Sequence, residues 1–274
     1  MGGSLALALK EKNVCRKVIA LVRRQEVVRQ AEALGAADFA TTDPAQALPQ
    51  ADLVIFTTPV RAIIRQLGEL ASFYKAGAVI TDMGSTKQEI VQAMANLPAD
   101  VYPVGSHPMC GKEQAGLEAA EATLYEGAPW IVTPLERTPP AATDLIFNLA
   151  QAVGAKPRLL AADRHDKLVA AISHLPHAMA TALVLAAQQV AETDPAVWEV
   201  AASGFRDTSR VAASDVTMMV DILLTNRAAV GEMLALAQGQ LAHLAEALAA
   251  GDEAALRKLL EQASQQRKAV YNKR

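Results

Sequence analysis

Over the first 160 positions the apolar residues come in short bursts, and the polar stretches between them carry helical spacing. The bursts are KVIALV at 17–22, ADLVIFTTP at 51–59, GAVITD at 77–82, DVYPVG at 100–105, GAPWIVTP at 127–134 and KPRLL at 156–160. Each is bounded by Gly, Pro or charged residues, and the first ones are rich in β-branched side chains, as strands buried on both faces are. Helices are expected over 26–34, from Asp43 and Pro44, and over 61–72, 87–97 and 143–153, with a further short extended segment at 38–40. Strand alternating with helix predicts a parallel α/β sheet of Rossmann type. Beyond Ala162 the pattern changes: no strand is expected, and the chain is rich in Ala and Leu. Helices should start near His165, His177, Val216 and Arg227, with Gly251 closing the last and Asp252 capping another. This change alone divides the chain into a 1–160 α/β domain and a 161–274 all-helical domain. Along the long helix Met233, Leu236, Leu241, Leu244 and Leu248 recur near helical spacing, a stripe suited to core or to a dimer contact.

The opening GGSLALALKEK reads as a helix begun on glycine. In a dinucleotide-binding unit such a helix follows a first strand and a G-x-G-x-x-G turn, whose last glycine lets helix and strand pack closely. Gly2 is expected to be that last glycine, with the first strand and the earlier glycines missing from this stretch; the plainer reading is a flexible terminus. Arg23 and Arg24 follow the 17–22 strand, roughly 20 residues past the glycine turn, where such units read the adenosine ribose. Arginine there argues for NADP over NAD; the competing reading is a pair of solvated charges. Ligands of such sheets lie off the carboxyl ends of strands, here 57–59 with Thr58 and Pro59, 83–85 with Ser85, and 106–109 with His107.

The net charge is −3 and the basic residues are scattered, so no nucleic-acid partner is expected. Two cysteines, Cys15 and Cys110, are too few for a disulfide framework, and no apolar run is counted as long enough for a membrane span. The N-terminus lacks the basic start and cleavage site of a signal peptide. A cytoplasmic protein with no membrane partner is expected.

GSHPMCGKE at 105–113 places a histidine at the mouth of an apolar segment among small residues. Histidine titrates nearest neutrality and can take and return a proton, although a lone histidine more often just ends a strand. Three further motifs change that balance: GSTK at 84–87, SHLPH at 173–177 and GFRDTSR at 204–210.

With TDMGSTK, VGSHPMCGKEQAG, ISHLPHAMATAL and ASGFRDTSRVAASD in this order, the chain resembles the prephenate/arogenate dehydrogenases of tyrosine biosynthesis nearly end to end. The resemblance implies a Rossmann-type domain, a helical domain that forms a homodimer, and NAD(P)-dependent oxidative decarboxylation of prephenate or arogenate. It implies His107 as general base and Ser85 as its helper, able to hydrogen-bond the substrate hydroxyl and the histidine. Arg210 matches the arginine that holds the ring carboxylate, and Ser173 and His177 match positions at the substrate's side chain. Arg206 and Asp207 are expected to pair with each other, and His174 reads equally as structural. Lys112 and Glu113, in the histidine motif, are counted with the substrate residues. Lys112 departs from a small hydroxyl residue common in the family, so it either reaches the substrate's anionic end or faces solvent. His177 tilts the choice toward prephenate. The competing readings are another two-domain NAD(P)-dependent hydroxy-acid dehydrogenase and an anion-binding dimer without turnover.

Overall fold

The computed structural model describes residues 1–111 and 116–271. The α/β part runs α1 (Gly2–Glu11), β1 (Ile19–Leu21), α2 (Gln25–Ala33), β2 (Phe39–Thr41), α3 (Pro44–Ala47), β3 (Leu53–Phe56), α4 (Val60–Glu69) and β4 (Val79–Asp82). It continues with α5 (Gln88–Ala95), β5 (Tyr102–Pro108), β6 (Pro129–Pro134), α6 (Pro140–Ala152) and β7 (Lys156–Leu159). Five strands form one sheet in the order β3-β4-β5-β6-β7. Helices cover both of its faces. On one, Leu5, Ala8 and Leu9 of α1 and Ile146 and Leu149 of α6 bury against Val104, Trp130 and Val132. On the other, Ile63 and Leu67 of α4 and Ile90 and Met94 of α5 bury against Phe56, Ile80 and Val101. This is the Rossmann-type arrangement that the alternating pattern predicts.

Two details differ from the expectation of a single parallel sheet. β1 pairs in parallel with β2 alone, as a separate two-stranded sheet. β6 pairs antiparallel to β5, Ser106 opposite Val132 and His107 opposite Ile131, while the other described ladders are parallel. A parallel return would need a crossover, and the described residues between β5 and β6 supply only a 3-10 turn, Ala122–Tyr125.

The helical part follows as α7 (Ala162–Val169), a π-helical turn (Ala170–His174), α8 (Leu175–Ala191), α9 (Ala196–Glu199) and α10 (Ser203–Ser209). A 3-10 turn (Arg210–Ala213), α11 (Val216–Thr225), α12 (Arg227–Ala249) and α13 (Glu253–Tyr271) complete it. By compactness Met1–Arg227 is one unit and Ala228–Arg274 another. In the second, Gly251 turns with φ +63°, and the Asp252 carboxylate accepts from the Ala255 N–H at 2.9 Å, as the capping pattern predicts. Leu236, Leu241 and Leu248 are exposed, at 61%, 50% and 70%. The stripe along α12 is therefore not core of this chain.

The count of apolar runs needs correction. α7, the π turn and α8 form one continuous helix of 30 residues, Ala162–Ala191, whose most apolar window has a mean hydropathy of 1.6, with 22% of that window buried. By length and composition this helix could cross a membrane. Sequence reading breaks it at SHLPH, but the turn just before Pro176, Ala170–His174, is π-helical, and this local irregularity takes up a residue without an N–H inside the helix, so the helix carries on.

Candidate functional site

The carboxyl ends of β4 and β5 lie side by side, and a buried network fastens them together. The Asp82 carboxylate accepts from the Ser106 N–H at 2.9 Å and the Gly84 N–H at 2.7 Å, and the Ser106 hydroxyl donates to the Asp82 carbonyl at 2.5 Å. Lys87, fully buried, donates its ammonium to the same carboxylate. Burial lowers the Lys87 pKa, and the charge of Asp82 opposes that shift. A charge on a buried lysine is tolerable only with such a partner. Gly84 has no room for a side chain, since a Cβ there would lie 2.5 Å from Ile90.

His107, half-buried, stands on the last turn of pleat in β5. Its Nδ1 lies 2.9 Å from Nε2 of His165 on α7, with the rings edge to face at 71°. Nδ1 of His165 lies 2.7 Å from the Asp166 carboxylate. That carboxylate also accepts from the Lys87 N–H at 2.7 Å and the Gln88 N–H at 2.9 Å, at the start of α5. Asn226 donates to the Asp166 carbonyl at 2.8 Å and reaches Nδ1 of His174 at 3.2 Å. The hydroxyls of Thr86 and Thr225 meet at 2.8 Å. The helical part is thus hydrogen-bonded to the sheet end that presents His107.

Desolvation, and then the neighbouring His165, Lys87 and His174, hold the His107 pKa well below its usual value. It is neutral in the physiological range, as a base must be before it takes a proton. Burial holds His174 at a pKa of about 4, so the histidine that read equally as structural is a buried, neutral one. The π turn that carries Ser173 and His174 is itself a local irregularity of a kind that often marks functional sites. Ser173 is exposed. Both ring nitrogens of His177 are buried without a hydrogen-bond partner, and burial lowers its pKa. The 3-10 turn that begins at Arg210 packs against α8, and the Arg210 side chain is exposed. Arg206 and Asp207 pair at 3.0 Å, as expected of them. Ser85 is half-buried after β4, and among the described residues the His107 ring meets His165. Lys112 and Glu113 lie outside the described residues.

At the other strand end, Gly2 approaches β3 so closely that a Cβ would lie 2.5 Å from the Thr57 hydroxyl. Thr58 donates its hydroxyl to Gln66 at 2.7 Å, and Pro59 caps α4. Arg23 and Arg24 are exposed after β1, with Arg24 3.2 Å from Glu26.

Sequence reasoning quoted Lys87 inside GSTK and His165 as a helix start, yet gave neither a role, and it passed over Asp82, Asp166 and Asn226. The signal available was the adjacent His-Asp pair at the head of the helical half.

Residues 5–159 match the model for the prephenate dehydrogenase nucleotide-binding domain, and residues 161–262 match that for the prephenate dehydrogenase dimerization domain. The chain belongs to the prephenate dehydrogenase family. It is 36% identical to a prephenate dehydrogenase of Bacillus subtilis over 83% of this chain and 62% of that protein, so it spans less than two thirds of that relative's length. It is 34% identical to a cyclohexadienyl dehydrogenase of Zymomonas mobilis over 92% of this chain and 86% of the relative. Among solved structures, prephenate dehydrogenase from Aquifex aeolicus, in complex with hydroxyphenyl propionate and NAD+, superposes with a TM-score of 0.90 at 30% identity, covering 98% of this chain and 94% of that one.

Proposed function

We propose that the protein oxidatively decarboxylates prephenate, or arogenate, with NAD(P)+ in tyrosine biosynthesis, and that His107 is its general base. The observation that carries this reading is His107 itself, a neutral imidazole at a strand end, backed by His165 and Asp166. As hydride leaves the ring carbon that bears the hydroxyl, a carbonyl develops there and the hydroxyl proton must be taken up. His107 accepts it. Ser85, half-buried after the neighbouring strand, orients the same hydroxyl. Arg210 provides two parallel donors for the ring carboxylate, and Ser173 and His177 line the side-chain end, where the unpartnered nitrogens of His177 suit a polar group. The descriptions of the Bacillus and Aquifex relatives favour prephenate, and His177 tilts the same way. Lys112 and Glu113 are assigned to the substrate by the family motif alone.

The residues at the β3 end fit a dinucleotide. Gly2 opens α1 where a Cβ would crowd the Thr57 side chain, and Thr58 and Pro59 follow Thr57 in the chain. When bound, the nicotinamide supplies the hydride acceptor. Arg23 and Arg24, exposed past β1, support a preference for the 2′-phosphate of NADP+. We assign 1–160 to cofactor binding and 161–274 to a helical domain that pairs two copies. The exposed leucines of α12 and the dimerization description of the matching family support that pairing. Two free thiols, Cys15 and Cys110, support a reducing compartment, and we place the protein in the cytoplasm.

The test is turnover of prephenate and of arogenate by the purified protein, each with NADP+ and NAD+, beside His107→Asn. The variant should lower kcat by about 10²- to 10⁴-fold with KM little changed. A near-normal kcat removes His107 from the mechanism, and no oxidation of either substrate by the parent removes the function.

A further inference from the structure

Behind His107 lies a chain of groups whose proton positions follow once His165 is taken as neutral. Asp166 holds its carboxylate between two backbone donors, Lys87 N–H at 2.7 Å and Gln88 N–H at 2.9 Å. A carboxylate so placed only accepts, so Nδ1 of His165, 2.7 Å away, carries the hydrogen and donates it. A neutral imidazole with its hydrogen on Nδ1 has its lone pair on Nε2. That lone pair faces Nδ1 of His107 at 2.9 Å, so Nδ1 of His107 is in turn the donor. The one lone pair left on the His107 ring is on Nε2.

We infer that His165, fixed by Asp166, is a positioning residue that selects the His107 tautomer with its hydrogen on Nδ1 and its basic lone pair on Nε2. The inference rests on the reading of His107 as the base and adds the reason why that histidine can serve. Without an acceptor behind it an imidazole divides between two tautomers, and the one protonated on Nε2 cannot take a proton there. When Nε2 takes the hydroxyl proton, the Nδ1–H still donates to His165, and the new positive charge lies one ring away from the Asp166 carboxylate. The O–H bond breaks and an N–H bond forms at Nε2 as the ring carbon gives up its hydride, the oxygen's electron pair becoming the carbonyl, and the proton stays on Nε2 until it is released. Burial keeps the arrangement in register: His165 is 1% exposed and Asp166 fully buried. Three elements bring charged or titratable groups to this pair: Lys87 before α5, Asp166 on α7 and His174 on the π turn. None of them lies between the two rings.

Two variants separate this role from space filling. His165→Leu keeps apolar bulk and loses the acceptor; His165→Gln can set a carbonyl oxygen near the place of Nε2. The Leu variant should lower kcat by about 10- to 100-fold with KM for prephenate little changed, as when the partner behind a functional histidine is lost. The Gln variant should recover to within about 10-fold of the parent. Nitrogen-15 spectra of the full chain, with His107 assigned by its loss in His107→Asn, read the tautomer directly. The parent should show His107 protonated on Nδ1, and the Leu variant a mixture. A parent His107 protonated on Nε2, a Leu variant that turns over like the parent, or a Gln variant no better than Leu overturns the inference. Because the spectrum needs no substrate, it judges the tautomer even if the parent fails to oxidise prephenate, a result that would count against the function alone.

Discussion

The two strand-end regions of the α/β unit are built in opposite ways. Around Asp82, Lys87, Ser106 and Asp166 the side chains are buried and hydrogen-bonded to one another or to backbone. Around β1 and β2 the sheet has two three-residue strands, β1 is only half-buried, and Arg23 and Arg24 stand in solvent. Proton transfer depends on fixed geometry, to within a fraction of an ångström, so groups that hold a base belong in a closed lattice. A phosphate group arrives with its own charge and can be met by long flexible cations at an open edge. In the first region, losing one partner should unsettle the fold; in the second, it should change only what binds.

The largest effect is expected in the closed region. Asp82→Ala strands the buried Lys87 ammonium and leaves the Ser106 and Gly84 N–H groups without their acceptor. Breaking a buried pair on one side costs about 3–5 kcal/mol, which urea unfolding midpoints will read. Asp82→Asn combined with Lys87→Met removes both charges and should recover most of that loss. If Asp82→Ala unfolds at the parent's midpoint, the network is not what holds β4 to β5.

Arg210→Ala probes the substrate side. Arg210 is exposed on a 3-10 turn against α8, so its loss should spare the fold and weaken binding. A desolvated guanidinium–carboxylate pair is worth about 2–5 kcal/mol when one member is removed, seen as a rise in KM with a smaller change in kcat. Equal KM for parent and variant would show that the arginine does not meet the ring carboxylate.

The contrast also explains what could be read from the sequence. Strand bursts and helix spacing are local signals, and β3, β4, β5, α11, α12 and α13 fall where those signals put them. His107 stood out because it ends an apolar run, and the Arg206–Asp207 pair because its members are adjacent. What was not legible depends on contacts between distant segments. Lys87 and Asp166 are 79 positions apart, and His107 and His165 are 58 apart. No periodicity links them. The antiparallel turn of β6 was hidden for a related reason: an apolar run shows that a strand exists and is silent about its direction. Helix Ala162–Ala191 was read as two helices, near His165 and His177, because local spacing does not reveal that the π turn at Ala170–His174 carries the helix through Pro176.

The smallest effect is expected at the open edge, where it tests the cofactor. Arg23 and Arg24 follow β1 and are exposed, and the pairing of Arg24 with Glu26 is a surface contact that water and salt can replace. A 2′-phosphate would offer these cations charge-assisted hydrogen bonds worth about 1.5–3 kcal/mol. The parent should accordingly favour NADP+ over NAD+ by about 10- to 100-fold in kcat/KM, and Arg23→Asp should reverse the order by placing an acceptor for ribose hydroxyls where the phosphate was met. The same substitution should move the urea midpoint by less than about 1 kcal/mol equivalent, because Arg23 is exposed. Titrations with both cofactors at one ionic strength decide the first part, since salt screens exposed charges. Equal or better use of NAD+ by the parent would show that the arginines serve only the solvated edge. A large stability loss in Arg23→Asp would mean that the edge is as tightly built as the region around Asp82.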